Sequence, residues 1–295
     1  MIHLVLAALI AATPATFPQA LAQAKTGDTV QLSGNFGALV VQKAPPGVSI
    51  DASGAAFTYV YLSGLSGLTW SGGTFAPVDW HGGFYVLNSQ DITVSGLSTR
   101  DAGSWPGFSA RKSSNITLGA SRFDRPSIGI TIEEVSGGTV SGNSVVGASI
   151  DGIDIAGSHG LRVVLNGLSG NIPAPGVHAD GIQLWSLAGE APTSDIYVGQ
   201  NLVFGHTQGV TAFPGNGGYD RITFDGNTVI GDEPQGIALY GARASTVENN
   251  RVMTLPVSNY EATVNVVGAD AATVVCGNTV AAAAKLPART EPACK

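Results

Sequence analysis

Hydrophobic residues occur along this chain in short runs, and Gly, Ser, Asn and Asp separate one run from the next. Two typical runs are Val48-Ser-Ile-Asp-Ala-Ser and Ile92-Thr-Val-Ser-Gly-Leu. Inside each run apolar and polar residues alternate, which is the period of a β-strand that buries one face. The pattern therefore predicts many short strands joined by tight turns.

A glycine followed by an apolar residue recurs at nearly regular intervals. Counted from glycine to glycine, the intervals are 24, 22, 23, 29, 28 and 27 residues, which is typical of a solenoid in which each repeat forms one coil. The pairs are Gly83-Phe84, Gly107-Phe108, Gly129-Ile130, Gly152-Ile153, Gly181-Ile182, Gly209-Val210 and Gly236-Ile237.

Asparagine forms a second repeat, at a turn near a glycine. Its side-chain amide can bond the coils on both sides, and Asn tolerates the left-handed backbone conformation. Stacked asparagines therefore predict a ladder at one corner of the solenoid. The positions are Asn143, Asn166, Asn201, Asn227, Asn250 and Asn278.

The N-terminal segment has a different pattern. Apolar residues from Phe17 to Ala24 follow helical spacing and predict a short helix that covers the open end of the core. The apolar run from Leu4 to Ala12 has the length of a signal-peptide core. We expect residues 1–15 to be a signal peptide, cleaved between Ala12 and Phe17, and the protein to be secreted or periplasmic. The alternative is a first strand or a capping segment.

The predicted architecture is all-β, with one parallel β-helix domain over residues 16–280 and a tail over residues 281–295. Cys276 and Cys294 are the only cysteines. In an exported protein we expect them to form a disulfide that ties the tail to the last coil; two unrelated thiols are the alternative. No apolar run reaches the ~20 residues of a membrane span, and we expect a monomer.

Composition and charge narrow the class of partner. Hydrophobic residues make up 44% of the chain and charged residues 12%, with 40 glycines, which excludes a disordered polyelectrolyte. The net charge is −7 and no basic stripe is present, so nucleic acid is excluded as a partner. An anionic polymer would need a local arginine or a bound cation.

These repeats resemble the right-handed parallel β-helix superfamily that includes pectate lyases, polygalacturonases and alginate-modifying enzymes. The resemblance extends from about Gly27 to Val280 and rests on Lys-Thr-Gly-Asp-Thr-Val-Gln-Leu at residues 25–32, the Gly-Ile strands and the Gly-Asn turns. It implies that fold and a polysaccharide partner. The His-x-Asp-Gly-Ile-Gln segment at residues 178–183 is also similar to a branch of exported bacterial β-helix proteins, whose membership implies no particular reaction.

The catalytic motifs of these enzymes match only in part. Ile150-Asp151-Gly-Ile-Asp154 and Gly205-His206-Thr207 resemble two polygalacturonase motifs, but the Asp-Asp and Arg-Ile-Lys motifs are missing. His178-Ala-Asp180 reverses the Asp-Pro-His of mannuronan epimerases. The resemblance therefore does not transfer a mechanism.

Strand alternation predicts which side chains face outward. Ile153 and Ile155 must enter the core, so Asp154 and Ala156 point away from it. Coils lie about 4.8 Å apart, so we expect Asp154 to touch Gln183 on the next coil. Carried through the repeats, this register gives one outward column of Tyr85, Ser109, Thr131, Asp154, Gln183, Thr211 and Ala238, and a second of Leu87, Arg111, Glu133, Ala156, Trp185, Phe213 and Tyr240.

Three functions fit this face. The first is a lyase that cleaves a uronate-containing glycan, with His178 as the base and the electrophile either Arg111 or a Ca²⁺ ion held by Asp154 and Asp180. The second is a glycoside hydrolase that uses Asp154 and Asp180, and the third is a glycan-binding surface without catalysis. We expect the lyase first, because His178 ends a loop insertion at residues 171–177.

Substrate contacts are expected from the aromatic and polar residues around this pair of carboxylates. Aromatic rings suit the flat faces of sugars, although Phe213 and Tyr240 could instead pack under a loop. Asp151 and Asp180 could equally serve a structural role at a turn. The predicted binding residues are Gln183, Trp185, Glu133, Asp151, Thr211, Phe213 and Tyr240.

Overall fold

The predicted strands stack as the coils of a parallel β-solenoid of about 11 turns. The structure is a computed structural model that describes residues 7–77, 82–101, 103, 105–173, 176–189, 191–215, 217–256, 258, 260–281, 289–290 and 294. The all-β fold class is thereby confirmed.

The chain contains one short helix, α1 Phe17–Gln23, within its described part. The strands are β1 Leu9–Ala12, β2 Thr29–Val41, β3 Ser49–Ser63, β4 Thr69–Ser71, β5 Thr74–Phe75, β6 Phe84–Leu87, β7 Gln90–Ser95, β8 Ser98–Thr99, β9 Phe108–Gly119, β10 Arg122–Asp124, β11 Ile130–Ser141, β12 Ser144–Val146, β13 Ile153–Ala156, β14 His159–Val164, β15 Gly167–Ser169, β16 Asp180–Trp185, β17 Thr193–Gly199, β18 Leu202–Gly205, β19 Gln208–Ala212, β20 Tyr219–Asp225, β21 Thr228–Gly231, β22 Gln235–Tyr240, β23 Ala242–Arg243, β24 Thr246–Glu248, β25 Arg251–Thr254, β26 Thr263–Val267, β27 Val274–Cys276, β28 Thr279–Ala281 and β29 Arg289–Thr290.

Most coils contribute one strand to each of three parallel sheets. Sheet A contains β6, β13, β16, β19, β22 and β26. Sheet B contains β7, β14, β17, β20, β24 and β27, and sheet C contains β8, β10, β12, β15, β18, β21, β25 and β28. The long strands β9 and β11 continue from sheet A into sheet B, since each pairs with strands of both.

The core lies between the three sheets and follows the predicted alternation. Ile153 and Ile155 are fully buried, as are Ile182 and Leu184 on the next coil. Burying one such side chain contributes roughly 1.5–3 kcal/mol, and each inward row repeats this from coil to coil.

The predicted asparagine ladder is present at the start of sheet C. Each amide nitrogen donates to the side-chain oxygen of the next asparagine, for example from Asn166 to Asn201 and from Asn201 to Asn227, at 3.0 and 2.9 Å. The expected left-handed conformation belongs instead to the preceding residue, because that residue makes the turn and the asparagine side chain then points into the corner. Those residues, with φ from 55 to 65°, are Gly142, Leu165, Gln200, Gly226, Asn249 and Gly277.

The repeated glycines of sheet A are needed because the coils approach closely there. A Cβ on Gly152 would lie 2.4 Å from the carbonyl oxygen of Gly181, and one on Gly181 would lie 2.5 Å from a methyl group of Val203. A larger residue would therefore push the coils apart. The residue before each glycine, such as Asp151, therefore lies close to the next coil at the start of sheet A.

The N-terminal cap is a helix and a strand. Phe17, Ala20 and Leu21 of α1 are buried against the first coils, which confirms the capping helix. β1 pairs in parallel with β2, so residues 9–12 adopt the strand that was the alternative to a signal segment. Residues 1–6 lie outside the described residues, and export stays a prediction.

The C-terminal end is closed by a disulfide between Cys276 and Cys294, whose Cα atoms are 5.1 Å apart. It ties residue 294 to β27, so the disulfide expected from the sequence is present. Helix α1, the one helix among the described residues, is not long and apolar enough to cross a membrane.

Because the inward residues form stacked, fully buried apolar rows, we expect Val140→Asp to unfold the solenoid. The side chain of Val140 is buried, and an unpaired carboxylate there should cost more than about 4 kcal/mol. Urea unfolding followed by circular dichroism measures the change.

The matched control is Thr139→Asp. Thr139 lies beside Arg162 on the outer surface of sheet B, so this carboxylate should leave stability nearly unchanged. Equal effects of the two substitutions would contradict the register.

Candidate active site on sheet A

The pairing of strands in sheet A reproduces the predicted register around Asp154. Asp154 pairs with Thr131 on the preceding coil and with Gln183 on the following one, and Gln183 pairs with Thr211. In the second column, Arg111 pairs with Glu133 and Ala156 with Trp185.

Asp180 is the centre of the polar network on this face, and it is fully buried. The hydroxyl of Thr211 donates to its Oδ1 at 2.8 Å, and the amide of Gln183 donates to its Oδ2 at 2.9 Å. Its backbone N–H donates to Oδ1 of Asp151 at 2.6 Å. Asp151 therefore has the turn-bonding role that its position before a glycine suggested, while the carboxylate of Asp180 is bonded on both oxygens.

Asp154 lies beside Asp151, and their carboxyl groups are hydrogen-bonded to each other. Burial, the charge of Asp151, that hydrogen bond and the charge of Asp180 raise the pKa of Asp154 to about 9. Oδ1 of Asp154 is buried and lacks a hydrogen-bond partner among the described residues. Asp154 as a residue is partly exposed, so a side chain that retains its proton lies at the surface of sheet A with Oδ1 turned inward.

The other two carboxyl groups also titrate above their usual range. Burial raises the pKa of Asp180 to about 8. The hydrogen bond from the Thr211 hydroxyl lowers this pKa, and the charge of Asp151 raises it further. Burial raises the pKa of Asp151 too, opposed first by the backbone N–H of Asp180. Perturbed carboxyl groups of this kind, close together at a surface, are typical of sites of acid–base chemistry.

His178 lies at the edge of the network with its side chain 57% exposed. Its Nδ1 is 3.4 Å from Oδ2 of Asp180, and its Nε2 contacts the side-chain nitrogen of Gln208. Both ring nitrogens are therefore directed into the protein. Of the predicted insertion before His178, residues 174 and 175 lie outside the described residues.

An aromatic row continues from His178 along the solenoid axis. The ring of His178 meets Phe213 edge to face at 5.9 Å, and Phe213 is 5.8 Å from the tilted ring of Tyr240. The hydroxyl of Tyr219 donates to the carbonyl of Phe213 at 2.6 Å, which holds that residue in place. Trp185 ends β16, on the coil before that of Phe213, and its side chain is 48% exposed.

Arg111 lies apart from this cluster. Its guanidinium forms an ion pair with Glu133 and is hydrogen-bonded to Tyr85. Arg111 is two coils before the strand of Asp154 in the register. The structure therefore does not bring it together with His178 or Asp180.

Four residues that the register placed outward are buried, namely Ser109, Gln183, Thr211 and Ala238. Gln183 is 4% exposed and Thr211 is fully buried, and both donate to Asp180. Strand alternation sets the direction of a side chain relative to the core, whereas access to solvent depends on what lies over the strand. In the structure the side chains of Gln183 and Thr211 hold Asp180, and their contact with substrate stays a prediction.

The carboxyl groups do not form an evident metal centre. Within the described ranges, the one set of three His, Cys, Asp or Glu residues with ligand atoms within 4.8 Å of one another is Glu248, Cys276 and Cys294. Its two sulfurs are joined in the disulfide. Ca²⁺ at Asp154 and Asp180 stays a prediction, to be tested by turnover with and without a chelator.

Sequence reasoning missed Gln208 as part of this site. It occupies the position that Asp180 has on the preceding coil, and that equivalence was the available signal. The strand repeat could not predict that the imidazole of His178 contacts the side-chain amide of Gln208, because His178 lies in a loop.

The fold and the site define a β-solenoid protein with a cluster of buried carboxyl groups on one sheet. The chain belongs to the family described as Right handed beta helix region, whose match covers residues 47–252, more than half of its length. This confirms the resemblance inferred from the repeats. No curated protein sequence matches the chain.

Several solved structures are similar in fold. The Dettilon tailspike protein gp208 is 15% identical, with a TM-score of 0.68, and the alignment covers 91% of this chain and 61% of the tailspike chain. This chain therefore spans less than two thirds of the tailspike chain.

Two enzymes are also similar. The alginate lyase from Paenibacillus sp. str. FPU-7 is 17% identical, with a TM-score of 0.55 and coverage of 90% of this chain and 99% of that one. The Family 28 exopolygalacturonase of Yersinia enterocolitica is 10% identical, with a TM-score of 0.58 and coverage of 90% and 77%. At these identities the likeness shows the fold alone.

The raised pKa of Asp154 makes stability depend on pH. Between the ordinary value of 3.8 and about 9, the folded protein keeps a proton on Asp154 that the unfolded chain releases. The free energy of unfolding therefore falls as pH rises across that window. We expect Asp154→Asn to raise Tm near pH 9 by at least about 2 °C, with little change near pH 4, as measured by thermal unfolding.

Asp91→Asn serves as the control, because hydrogen bonds from Asn115 and Gln90 lower the pKa of the exposed Asp91. Its substitution should slightly destabilise the protein at neutral and alkaline pH. A lower Tm of Asp154→Asn near pH 9 would contradict the burial cost assigned to Asp154.

Proposed function

We propose that this protein is a polysaccharide-cleaving enzyme whose active site is the surface of sheet A around Asp154, and that the cleavage is hydrolysis with Asp154 as the general acid. The similar folds of an alginate lyase and an exopolygalacturonase support a polysaccharide as the substrate. The raised pKa of the partly exposed Asp154 carries the choice of reaction.

A general acid must hold its proton at the working pH and reach the leaving oxygen. A pKa of about 9 keeps the carboxyl of Asp154 protonated at neutral pH, which is the state that protonates a glycosidic oxygen. The transition state of glycoside hydrolysis has oxocarbenium character. Negative charge on Asp180 would stabilise it between about pH 8 and about pH 9, where Asp180 has lost its proton and Asp154 still holds its own.

The aromatic row supplies the binding surface in this proposal. Trp185, Phe213 and Tyr240 offer apolar faces against which sugar rings can pack, while the sugar hydroxyl groups remain free to bond to polar atoms. Oδ1 of Asp154 and Oε1 of Gln208 are buried acceptors without partners in the described part of the chain. Because both atoms are buried, the exposed aromatic faces and not these oxygens line the surface that would contact the sugar.

Two observations support hydrolysis over β-elimination in this proposal. Elimination needs a base with a free nitrogen and a cation at the uronate carboxylate, but both nitrogens of His178 are directed into the protein and Arg111 is paired with Glu133. Because Arg111 is paired and does not supply the cation that a uronate carboxylate needs, we favour neutral polysaccharides over uronate polymers as substrates.

A lyase is retained as the second candidate because of one observation. His178 is largely exposed, and Nδ1 faces the carboxylate of Asp180, which is the arrangement that orients a histidine base. Rotation of this side chain away from Gln208 would free Nε2. Export of the protein, which would bring it to an extracellular polymer, is part of both candidates.

Incubation with a panel of neutral and uronate polysaccharides tests the proposal. We expect new reducing ends without the ultraviolet absorbance of an unsaturated sugar. Asp154→Asn should lower kcat by about 10²–10⁴-fold, the usual contribution of a general acid, while binding of the polymer persists. Wild-type activity should fall as pH rises through about 9, where the carboxyl loses its proton.

The control is Asp195→Asn, since Asp195 lies on sheet B in an ion pair with Arg221 and should not affect turnover. Unsaturated products would reject hydrolysis in favour of the lyase. Binding of a polymer without any cleavage would leave a glycan-binding surface.

A further inference from the structure

Two tyrosines stack on each other on sheet A, on the N-terminal side of Asp154. Tyr61 of β3 pairs with Tyr85 of β6 on the next coil, and their rings are 5.3 Å apart between centroids and within 9° of parallel. Both residues point away from the core and are half-buried. The reaction proposed above uses neither ring.

A hydrogen bond shows which way the rings lean. The guanidinium of Arg111 bonds to Tyr85, although Arg111 belongs to the following coil, on which Ser109 is the residue paired with Tyr85. The ring of Tyr85 therefore leans along the solenoid axis across Ser109, which is only 6% exposed although it points outward. The nearly parallel ring of Tyr61 leans the same way. Rings that overlap in this manner turn part of one face toward solvent.

An ion pair holds this arrangement. Arg111 also pairs with Glu133 on the coil after it, and the two side chains are 41% and 22% exposed. A guanidinium has five N–H donors and a carboxylate accepts several hydrogen bonds, so both groups keep bonding capacity at the surface beside the rings. Because the two charges neutralise each other, the pair suits the hydroxyl groups of neutral sugars better than a charged group.

The tyrosines lie on the same outward column as Asp154. The register runs from Tyr85 through Ser109 and Thr131 to Asp154, so Tyr85 is three coils from Asp154 and Tyr61 is four. With coils about 4.8 Å apart, the two positions lie about 14 and about 19 Å from Asp154 along the axis. A polysaccharide that contacts both places must therefore run along the axis, with several sugar units between the two contacts.

We propose that Tyr61 and Tyr85 form a remote sugar-binding platform, fixed by Arg111 and Glu133, and that a neutral polysaccharide binds along the solenoid axis across this platform and Asp154. The rings bury apolar faces of the sugars, and the ion pair bonds to sugar hydroxyl groups. Cleavage at Asp154 rests on the proposed function. Binding of sugar by the platform does not.

The platform makes affinity depend on the length of the polysaccharide. A short oligosaccharide reaches either Asp154 or the tyrosines, whereas a longer chain gains both sets of contacts and binds more tightly. Phe213 and Tyr240 lie two and three coils from Asp154 on its other side. A chain that spans the whole face therefore meets aromatic rings on both sides of the proposed cleavage point.

Affinity electrophoresis through gels that contain a soluble polysaccharide tests the platform. The probes are β-glucan, xylan, mannan, alginate and polygalacturonate, and the parent protein carries Asp154→Asn so that no probe is cleaved. We expect a neutral probe to retard the parent. Adding Tyr61→Ala or Tyr85→Ala should raise Kd for that probe about fivefold or more, the usual loss when a residue that contributes to binding is truncated. Tyr61→Phe keeps the ring and should bind as the parent does.

Tyr197→Ala is the matched control. Tyr197 is a half-buried tyrosine on the outer surface of sheet B, where its hydroxyl donates to Asp225 at 2.8 Å. Its removal should leave Kd unchanged. Circular dichroism checks that each variant is folded, and if Tyr85→Ala is not, Tyr61→Ala carries the test.

Turnover of oligosaccharides of increasing length supplies a separate readout, measured with Asp154 intact. We expect KM of the wild type to keep falling until the chain reaches Tyr61, and KM of Tyr61→Ala to stop falling earlier, with kcat nearly equal because Tyr61 is far from the reacting bond.

Equal Kd for the parent and both alanine variants, or no retardation by any neutral probe, would overturn the inference. If binding depends on the two tyrosines but no polysaccharide is cleaved by the wild type, the proposed function fails and the platform stands.

Discussion

The backbone hydrogen bonds between coils are the constraint on which the rest of this structure depends. They hold neighbouring strands about 4.8 Å apart and leave no freedom of register, since a slip of one residue would turn each inward row outward. The asparagine ladder follows from the same spacing, because an amide can bond the coil on each side only at that distance. So does the glycine column, where a Cβ would collide with the next coil.

The site uses this spacing to bring carboxyl groups together at a cost in stability. Asp151 and Asp180 occupy similar corners of adjacent coils, and Asp154 projects beside them from sheet A. Desolvation outweighs the hydrogen bonds they receive, which is why the pKa values of Asp154 and Asp180 rise to about 9 and about 8. A protein under selection for stability alone would place amides or apolar residues there, and the retained carboxyl groups therefore point to chemistry.

The connections between strands decide how this chemistry is reached. His178 follows the long connection from sheet C to sheet A, and its ring is held between Gln208 and Asp180. Phe213, in the connection from sheet A to sheet B on the next coil, packs against that ring and is fixed by Tyr219. The rigid sheet thus supplies Asp154, while two loops supply the histidine and part of the aromatic surface.

The amino-acid sequence by itself determined the solenoid, the capping helix, the asparagine ladder and the pairing of Asp154 with Gln183. These follow from short-range periodicity, because the alternation of a strand dictates which way each side chain leaves the backbone. Only the tertiary structure decided that Gln183 and Thr211 are covered, that Arg111 is neutralised by Glu133, and that Gln208 meets His178. Solvent access, ion pairing and proton affinity depend on groups brought close by folding from different coils and loops, and no repeat in the sequence encodes where a loop side chain comes to rest.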